Sequence, residues 1–501
     1  MIVLLALALL AASLRLSSWI CRLLLGAAIL AAAVHLVFEG ARWQMVPVYT
    51  VLACWGGGAL GLRISPLRAW AQARGSWFAW TARTGAAGLL LTAGVAAYLF
   101  PMFQLPEPSG PYAIGTRTFD LVDANRLEPH TVEPFDHREL MVRVWYPAQP
   151  ARRARPVSYM DDADRLGPAI AKGYGLPFPF VFSHLKAIPS HAYPDAPISA
   201  RRATYPVLVF SHGRDVYGAA NTVLIEEMAS RGYVVVGVDH AYGSTATVFS
   251  DGRIARFVAG VYEATGRRAP PSAHRIAVME RAQRAIVGFD VPEIRAAVAE
   301  LDRGDPQALA LNHYGLAIWS ADQRFVIDQL ERWQSGGAGG LFAGRLDLSR
   351  LGVFGMSFGG SATVETCALD SRCKAGLDLD GFTSLLLDLP PPAQPFLYAS
   401  GGEQNLNLAQ ADRALGPAYW MKVGTSKHGD FTDLPMVTRL WRLVGLSGSI
   451  APRRMLALTN DYVGAFFDKH LMGVPEPLLD GPSAQYPEVR LRVQRPAAPA
   501  P

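Results

Sequence analysis

A serine flanked by glycines, in the segment Gly355-Met-Ser357-Phe-Gly359, is the residue of this chain best suited to nucleophilic chemistry. The segment matches G-x-S-x-G, a sharp turn that lifts a serine hydroxyl out of a sheet between a strand and a helix. The apolar run 351–354 before it predicts a short buried strand, and residues 361–366 after it are compatible with a helix. Glycines suit this turn because side chains beside the serine would collide. The sequence therefore predicts that Ser357 is a nucleophile.

A histidine must take the proton of this serine, and a carboxylate must orient that histidine. After an elbow of this kind the acid precedes the histidine in the chain. His428 and His470 are the histidines that follow Ser357. We expect His428 to be the base, because it lies in a polar loop after a predicted strand. His470 lies in a predicted amphipathic helix, which suits a packing role.

Two aspartates are candidates for the acid: Asp380, at the terminus of the strand predicted at 375–379, and Asp378, two residues back on the same face. We favour Asp380, because a side chain at the strand terminus opens onto the site and Asp378 lies deeper. Either aspartate also fits a turn-capping role.

The oxyanion formed during acyl transfer needs backbone N–H donors. We expect these from Phe358, which follows the nucleophile, and from Arg214 in the loop 211–214. His212 lies in the same loop but precedes the serine, so a structural hydrogen bond suits it better.

The elements around these residues alternate between strand and helix, which predicts a parallel sheet with crossover helices. We expect an α/β fold with a mostly parallel eight-stranded sheet, helices on both faces and the elbow after the fifth strand. The predicted strands are 116–122, 139–146, 206–210, 232–238, 351–354, 375–379, 395–399 and 419–423.

The composition excludes some classes of function. The chain has 501 residues, half of them hydrophobic, and a net charge of +5 from scattered basic residues. Scattered charge does not predict a nucleic-acid surface. The sequence lacks a His-Glu-x-x-His motif and a phosphate-binding P-loop, so we expect no metal and no cofactor.

The apolar residues concentrate at the N-terminus, and we predict an all-α transmembrane region over 1–105. Its helices are expected at 2–14, 19–38, 45–62 and 84–100. The first of them could instead be the core of a signal peptide. Basic residues load the first and third connections: Arg15 and Arg22 flank the first, and Arg63, Arg68, Arg74 and Arg83 lie in the third. The positive-inside rule then predicts a multi-pass protein, of the bacterial inner-membrane type, whose remaining chain lies on the extracytoplasmic face.

The rest of the chain is predicted to form one catalytic domain over 106–485, after a proline-rich segment at 101–111. A helical insertion is expected at about 253–345, and residues 486–501 are expected to be a flexible tail.

Four segments in this order carry a resemblance to a known family: 210–213, 355–360, 376–381 and 426–431. Together they resemble the plasma-type platelet-activating factor acetylhydrolases, which are similar to dienelactone-hydrolase-like and polyester-hydrolase-like esterases of the α/β-hydrolase fold. The resemblance implies a triad of Ser357, Asp380 and His428, with Arg214 and Phe358 at the oxyanion positions. Met356 replaces the histidine usual in the elbow of that family, and the membrane region is a second departure.

The expected function is therefore a membrane-embedded serine ester hydrolase that cleaves short acyl esters. The resemblance implies phospholipids with a short sn-2 acyl group as substrates. A general carboxylesterase acting on small or polymeric esters, an extracytoplasmic acyltransferase and an inactive membrane scaffold are the alternatives. A complete triad argues against the scaffold.

Two cysteines after the elbow helix, Cys367 and Cys373, are separated by five residues. That spacing lets the chain turn back and bring the two Cα atoms within bridging distance. We predict a disulfide between them, with two buried free thiols as the alternative. A disulfide persists in oxidising compartments and would agree with the predicted outer face.

Overall fold

The structure is a computed structural model that describes residues 2–13, 18–61, 75–259, 272–337, 340–401 and 406–494. Its first four helices are α1 (Ile2–Ser13), α2 (Ser18–Phe38), α3 (Val46–Gly61) and α4 (Gly75–Leu99). They follow the four predicted spans, except that α4 begins nine residues earlier than the predicted start at 84. Of the arginines on which the predicted orientation depends, Arg15, Arg63, Arg68 and Arg74 lie outside the described residues. Arg83 lies within α4 and not in the connection where it was predicted.

Two stretches in the described part of the chain are long and apolar enough to cross a membrane, Trp19–Phe38 and Ala79–Leu99. Helices α1 and α3 have 12 and 16 residues, fewer than the roughly 20 that a bilayer core requires. The structure therefore agrees with a membrane association of the N-terminal region through two candidate spans.

A ten-stranded sheet forms the centre of the remaining chain, in the order β12-β11-β10-β9-β8-β4-β5-β2-β1-β3. The six strands from β11 to β5 run parallel to one another, and β12 and β2 join them antiparallel at either side. The ten strands are β1 (Ala113–Leu127), β2 (His137–Ala148), β3 (Ala192–Pro194), β4 (Tyr205–Ser211), β5 (Val234–Asp239), β8 (Leu346–Met356), β9 (Ala375–Leu379), β10 (Phe396–Ser400), β11 (Ala418–Val423) and β12 (Val489–Gln494), while β6 (Ala246–Val248) and β7 (Ile254–Arg256) form a separate hairpin.

Two strands of the main sheet were not predicted, so the expectation of an eight-stranded sheet is wrong by two. The hairpin of β6 and β7 was not predicted either. Strand β3 has three residues and pairs with β1, which makes the elbow strand the sixth of the sheet in chain order. Strand β12 lies in the stretch predicted as a flexible tail, where it pairs antiparallel with β11. Its alternating Val489, Leu491 and Val493 fit a strand at a sheet edge. The arginines between them make the segment polar, which is why it was predicted as a tail.

Helices cover both faces of the sheet. One face packs against α7 (Ala273–Gly288), α8 (Val291–Gly304), α9 (Pro306–Gln334) and α10 (Phe358–Leu369), and the other against α6 (Thr222–Arg231) and α14 (Pro452–Met472). Four shorter α-helices complete those of the described residues: α5 (Ala163–Gly173), α11 (Leu408–Ala411), α12 (Leu434–Val437) and α13 (Leu440–Leu443). Helices α7 to α9 occupy the predicted insertion, of which 260–271 and 338–339 lie outside the described residues.

The end of helix α4 is hydrogen-bonded to other parts of the chain. The α4 C-terminus is held by the rest of the chain, since Arg439 N and Thr438 Oγ1 donate hydrogen bonds to the Leu99 carbonyl at 3.0 and 2.8 Å. Gln44 Nε2 donates to the Phe100 carbonyl at 3.1 Å, and the Phe100 ring is buried. These bonds satisfy carbonyls that a helix end leaves without intrahelical partners.

Candidate active site

Ser357 occupies the sharp turn between strand β8 and helix α10. Its φ is +56° and its ψ is −122°, a conformation that non-glycine residues rarely adopt. The turn is crowded: a Cβ on Gly359 would collide with the Ser211 and His212 carbonyl oxygens, and one on Gly355 with the Gly359 backbone. Glycine at 359 therefore lets the elbow approach the end of strand β4, and glycine at 355 lets the turn close on itself. The serine side chain lies at the carboxyl end of the parallel strands.

His428 is in hydrogen-bond contact with this serine. Its Nε2 lies 2.9 Å from Ser357 Oγ. The histidine begins a short 3-10 turn after β11, and Asp430 closes that turn by accepting from the Lys427 backbone N–H at 2.7 Å. The His428 side chain is 44% exposed, so the site opens to the surface on this side. The ring therefore faces both the nucleophile and the entrance.

Asp380 completes the chain of contacts. It follows β9 with a φ of +57°, and its Oδ2 lies 2.6 Å from His428 Nδ1. Its other oxygen, Oδ1, accepts a hydrogen bond from the Gly401 N–H at 2.9 Å. Only 6% of the side chain is exposed. If Nδ1 carries a proton and donates it to this carboxylate, the Nε2 lone pair faces the serine hydroxyl.

Asp378 and His470, the rival candidates, make other contacts. Asp378 is fully buried, and it accepts from the Gly381 N–H at 2.8 Å and from Asn407 Nδ2 at 2.6 Å. Burial raises the pKa of this carboxyl well above its usual range, although the Gly381 hydrogen bond opposes the shift. His470 Nε2 lies 3.1 Å from the Tyr419 hydroxyl, and burial lowers its pKa to about 4. Asp378 holds the turn that presents Asp380, and His470 packs in helix α14.

The backbone groups predicted for the oxyanion flank the nucleophile. Phe358 is the first residue of α10, directly after Ser357. On the other side, a Cβ built on Gly213 would lie 3.2 Å from Ser357 Cβ, so the loop that continues into Arg214 passes beside the serine. The two N–H groups thus belong to segments that meet at Ser357, and their role as donors stays a prediction.

A buried polar network that sequence reasoning missed supports the same loop. Ser211 Oγ lies 2.9 Å from His240 Nε2, and His240 Nδ1 lies 2.9 Å from Asp322 Oδ2. Arg138 donates two hydrogen bonds to the Asp322 carboxylate, at 3.1 and 2.7 Å. All four side chains are at most 1% exposed, so this second Ser-His-Asp set is closed to substrate. The available signal in the sequence was the polar pair Asp322-Gln323, which stands among the apolar positions of helix α9.

His212 has the structural role predicted for it. Its Nδ1 lies 2.7 Å from the Gly213 carbonyl, and its Nε2 lies 3.3 Å from the His240 backbone N–H. Trp319 stacks on the His240 ring at 3.9 Å and packs edge-on against Phe358 at 5.1 Å. These contacts join the loop, the network and the first residue of the elbow helix.

Cys367 and Cys373 are joined, with their sulfurs 2.06 Å and their Cα atoms 5.2 Å apart. Both cysteines are buried, and the bond closes the turn between α10 and β9. It therefore fixes the spacing between the helix that follows Ser357 and the strand that ends in Asp380.

This arrangement can transfer an acyl group. A histidine between a serine hydroxyl and a buried carboxylate can remove the hydroxyl proton and later return it to a leaving group. The side chain of His428 is 44% exposed, so an ester could reach the serine and the histidine from the surface.

Comparisons with known proteins agree with this chemistry. The family model "Platelet-activating factor acetylhydrolase, isoform II" matches residues 98–256, which include Arg214 but not Ser357, Asp380 or His428. A "Probable 1-alkyl-2-acetylglycerophosphocholine esterase" of Arthroderma benhamiae is 24% identical over 447 residues, covering 80% of this chain and 96% of that protein. The "Platelet-activating factor acetylhydrolase" of Bos taurus is 24% identical over 281 residues, covering 53% of this chain and 57% of that protein.

A solved structure gives the same result for the fold. The ferulic acid esterase from Streptomyces cinnamoneus aligns with a TM-score of 0.57 and 28% identity, over 78% of this chain and 99% of its own. The predicted α/β-hydrolase fold and the predicted resemblance to the acetylhydrolases are confirmed. So is the class of enzyme, because the esterase and the acetylhydrolase that these names describe are both carboxylic ester hydrolases.

Proposed function

We propose that this chain is a serine ester hydrolase that works through an acyl-enzyme on Ser357. The observation that carries the proposal is the continuous contact from Ser357 Oγ to His428 at 2.9 Å and from His428 to Asp380 at 2.6 Å. Each residue matches the type and chain order expected for this mechanism.

In the first half of the reaction, His428 Nε2 takes the Ser357 proton while Oγ attacks the ester carbonyl carbon. The carbonyl oxygen becomes an oxyanion, held by the N–H groups of Phe358 and Arg214. Collapse of the intermediate breaks the ester C–O bond, and the imidazolium gives its proton to the departing alkoxide. Asp380 holds the imidazole orientation and stabilises its charge throughout.

In the second half, water replaces the alcohol. His428 takes a proton from this water while the water oxygen attacks the acyl carbon. A second oxyanion forms and is held by the same N–H groups of Phe358 and Arg214. The carboxylic acid leaves when the Ser357 oxygen recovers the proton from His428. If another hydroxyl took the place of water, the same residues would catalyse acyl transfer.

Phospholipids with a short sn-2 acyl group are the substrates that we propose first. The names of the fungal and bovine relatives, which refer to 1-alkyl-2-acetylglycerophosphocholine and platelet-activating factor, support this choice. A general carboxylesterase is the second candidate, because the ferulic acid esterase aligns over nearly its full length.

Acyl release from esters of graded chain length tests this proposal. We expect kcat/KM to be highest for acetyl and other short acyl groups of phospholipids and to fall as the chain lengthens. Free acid should be the product, also with glycan or lipid hydroxyls present. Transfer of the acyl group to such an acceptor would support an acyltransferase. A preference for non-lipid esters at every chain length would support a general carboxylesterase.

We also propose that the N-terminal helices span a membrane several times and hold the catalytic part on the extracytoplasmic face. Two candidate spans support the embedding. The hydrogen bonds from Thr438 and Arg439 to the Leu99 carbonyl support a fixed position of the catalytic part relative to helix α4. The arginines of the third connection support the orientation.

The cysteine pair provides a test of this compartment. We expect mass mapping of unreduced, alkylated protein from its native membrane to yield Cys367 and Cys373 as one linked peptide pair. Replacing both with serine should lower stability by about 2 kcal/mol, since a short closed loop removes little chain entropy. Ester hydrolysis should persist at permissive temperature. Two free, alkylatable thiols in the native protein would contradict the predicted bridge.

A further inference from the structure

We infer that the end of helix α4 positions His428 for catalysis, through the connecting segment (residues 438–448) and the buried side chain of Asp430. The inference rests on the proposed function, in which His428 is the base. It goes further because it makes Asp430 a positioning residue and gives a candidate membrane span a part in catalysis. The contacts form a continuous line from Leu99 to the turn that begins at His428.

The turn His428–Phe431 is attached to the connecting segment by the side chain of Asp430. Asp430 Oδ2 accepts hydrogen bonds from the Lys427 N–H and from the Gly448 N–H, both at 2.7 Å. The residue is only 2% exposed, so water does not compete for these bonds. One carboxylate oxygen therefore joins the residue before the histidine to the end of the connecting segment.

Further contacts hold the connecting segment against the same turn. Lys427 Nζ donates a hydrogen bond to the Gly445 carbonyl at 2.7 Å. A Cβ built on Gly429 would lie 3.1 Å from the Leu446 carbonyl oxygen, so the segment passes directly beside the residue after the histidine. Within the segment, the Leu446 N–H donates to the Trp441 carbonyl at 2.8 Å. A shift of its first residues would therefore also move its last residues.

The first residues of the connecting segment are bonded to the end of helix α4. Thr438 Oγ1 and the Arg439 N–H donate to the Leu99 carbonyl at 2.8 and 3.0 Å. The guanidinium carbon of Arg439 lies 4.3 Å from the centre of the Tyr98 ring, and its Nη1 donates to the Tyr98 carbonyl at 3.3 Å. Helix α4 contains the candidate span Ala79–Leu99. The position of this span therefore fixes the start of the connecting segment.

The position of the turn matters because His428 must meet two groups at once. Its Nε2 lies 2.9 Å from Ser357 Oγ, and its Nδ1 lies 2.6 Å from Asp380 Oδ2. Its side chain is 44% exposed, so packing encloses the ring only in part. A displacement of about 1 Å at such a group can cost about 100-fold in rate. The backbone of the turn must therefore be held in place, and Asp430 and the connecting segment do this.

Replacing Asp430 tests the inner part of this line. We expect Asp430→Ala to lower kcat for 4-nitrophenyl acetate by about 10- to 100-fold and to change KM less than about threefold, because the base is displaced while the substrate pocket remains. Asp430→Asn keeps a side-chain oxygen that can accept both N–H bonds, so it should recover most of the lost kcat. The rates are expressed per active site, counted by titration with a fluorophosphonate, so that misfolded protein does not enter the result.

A double-mutant cycle tests the membrane end, with the full chain in nanodiscs of palmitoyl-oleoyl-phosphatidylcholine. Tyr98→Ala and Arg439→Met each remove the same ring contact and should each lower kcat by about 3- to 10-fold, the range for one lost interaction. The double variant should lose no more than the stronger single variant, since only one contact is removed. Trp80→Ala removes another exposed ring of helix α4, and Arg303→Met removes an exposed arginine of helix α8. Both controls should keep the wild-type kcat.

Each part of the inference has a result that would overturn it. Wild-type kcat in Asp430→Ala, or equal losses in Asp430→Ala and Asp430→Asn, would overturn the role of the Asp430 hydrogen bonds. Wild-type kcat in Tyr98→Ala and Arg439→Met, or losses that multiply in the double variant, would overturn the role of helix α4. Both results leave the esterase assignment intact. Hydrolysis of the ester by Ser357→Ala at the wild-type rate would overturn that assignment instead.

Discussion

The Ser357→Ala variant is expected to lose four to six orders of magnitude in kcat for ester hydrolysis, roughly the loss seen when a serine nucleophile is removed from other hydrolases. Without Oγ no acyl-enzyme can form, and His428 can only assist a direct attack by water. The backbone donors and the substrate pocket remain, so a small residual rate above the uncatalysed reaction should persist. The measurement is initial rates with 4-nitrophenyl acetate, on protein whose circular dichroism matches the wild type.

Ser361 offers a matched control for this variant. It lies one turn further along α10, where its hydroxyl accepts a hydrogen bond from the Phe382 N–H at 2.8 Å. Ser361→Ala should keep most of the activity, because that hydroxyl does not face the acyl carbon. Equal losses in the two serine variants would mean that damage to the elbow, rather than removal of the nucleophile, explains the effect.

Asp380→Asn is expected to lower kcat by about 10⁴-fold. The Asn side chain would offer its Nδ2 hydrogens to His428 Nδ1, which then must act as acceptor. The proton would move to Nε2, and Nε2 could no longer take the proton of Ser357. The site would keep its shape, so KM should change far less than kcat. Steady-state kinetics with one soluble ester separates the two.

Asp378→Asn is the matched control, two residues back on the same strand. An amide there turns one acceptor into a donor that faces the Gly381 N–H or Asn407 Nδ2, which should cost about 1–3 kcal/mol of stability. Its kcat should fall by orders of magnitude less than that of Asp380→Asn. A larger loss of kcat in Asp378→Asn than in Asp380→Asn would show that the acid has been assigned to the wrong residue.

The candidate site was predictable from sequence because the order of its parts is fixed by chain topology. An elbow needs glycines around its serine, the acid must end the next strand, and the histidine must follow in a loop. Those constraints singled out Ser357, Asp380 and His428, which the structure brings within hydrogen-bond distance of one another. The choice of Asp380 over Asp378 depended on where the strand ends, because the two aspartates lie two residues apart and Asp380 is the one that follows the last strand residue.

The parts that were missed depend on contacts between distant segments. Strand β12 is stabilised by antiparallel pairing with β11, a contact that its own sequence does not reveal. Arg490 and Arg492 interrupt its apolar residues, so the segment resembles a polar tail in the sequence. The network of Ser211, His240 and Asp322 joins β4, the end of β5 and helix α9, which are separated by up to 111 residues of sequence. Neither a periodic pattern nor a spacing rule connects such residues.

Covalent labelling tests the central claim, an acyl-enzyme on Ser357, most directly. A fluorophosphonate probe reacts with an activated serine, and peptide mass mapping locates the adduct. We predict one probe per chain on Ser357, loss of ester hydrolysis in step with labelling, and no comparable labelling of Ser357→Ala. An adduct on another residue that accompanies the loss of activity, or labelling of Ser357→Ala at the wild-type level, would contradict the account.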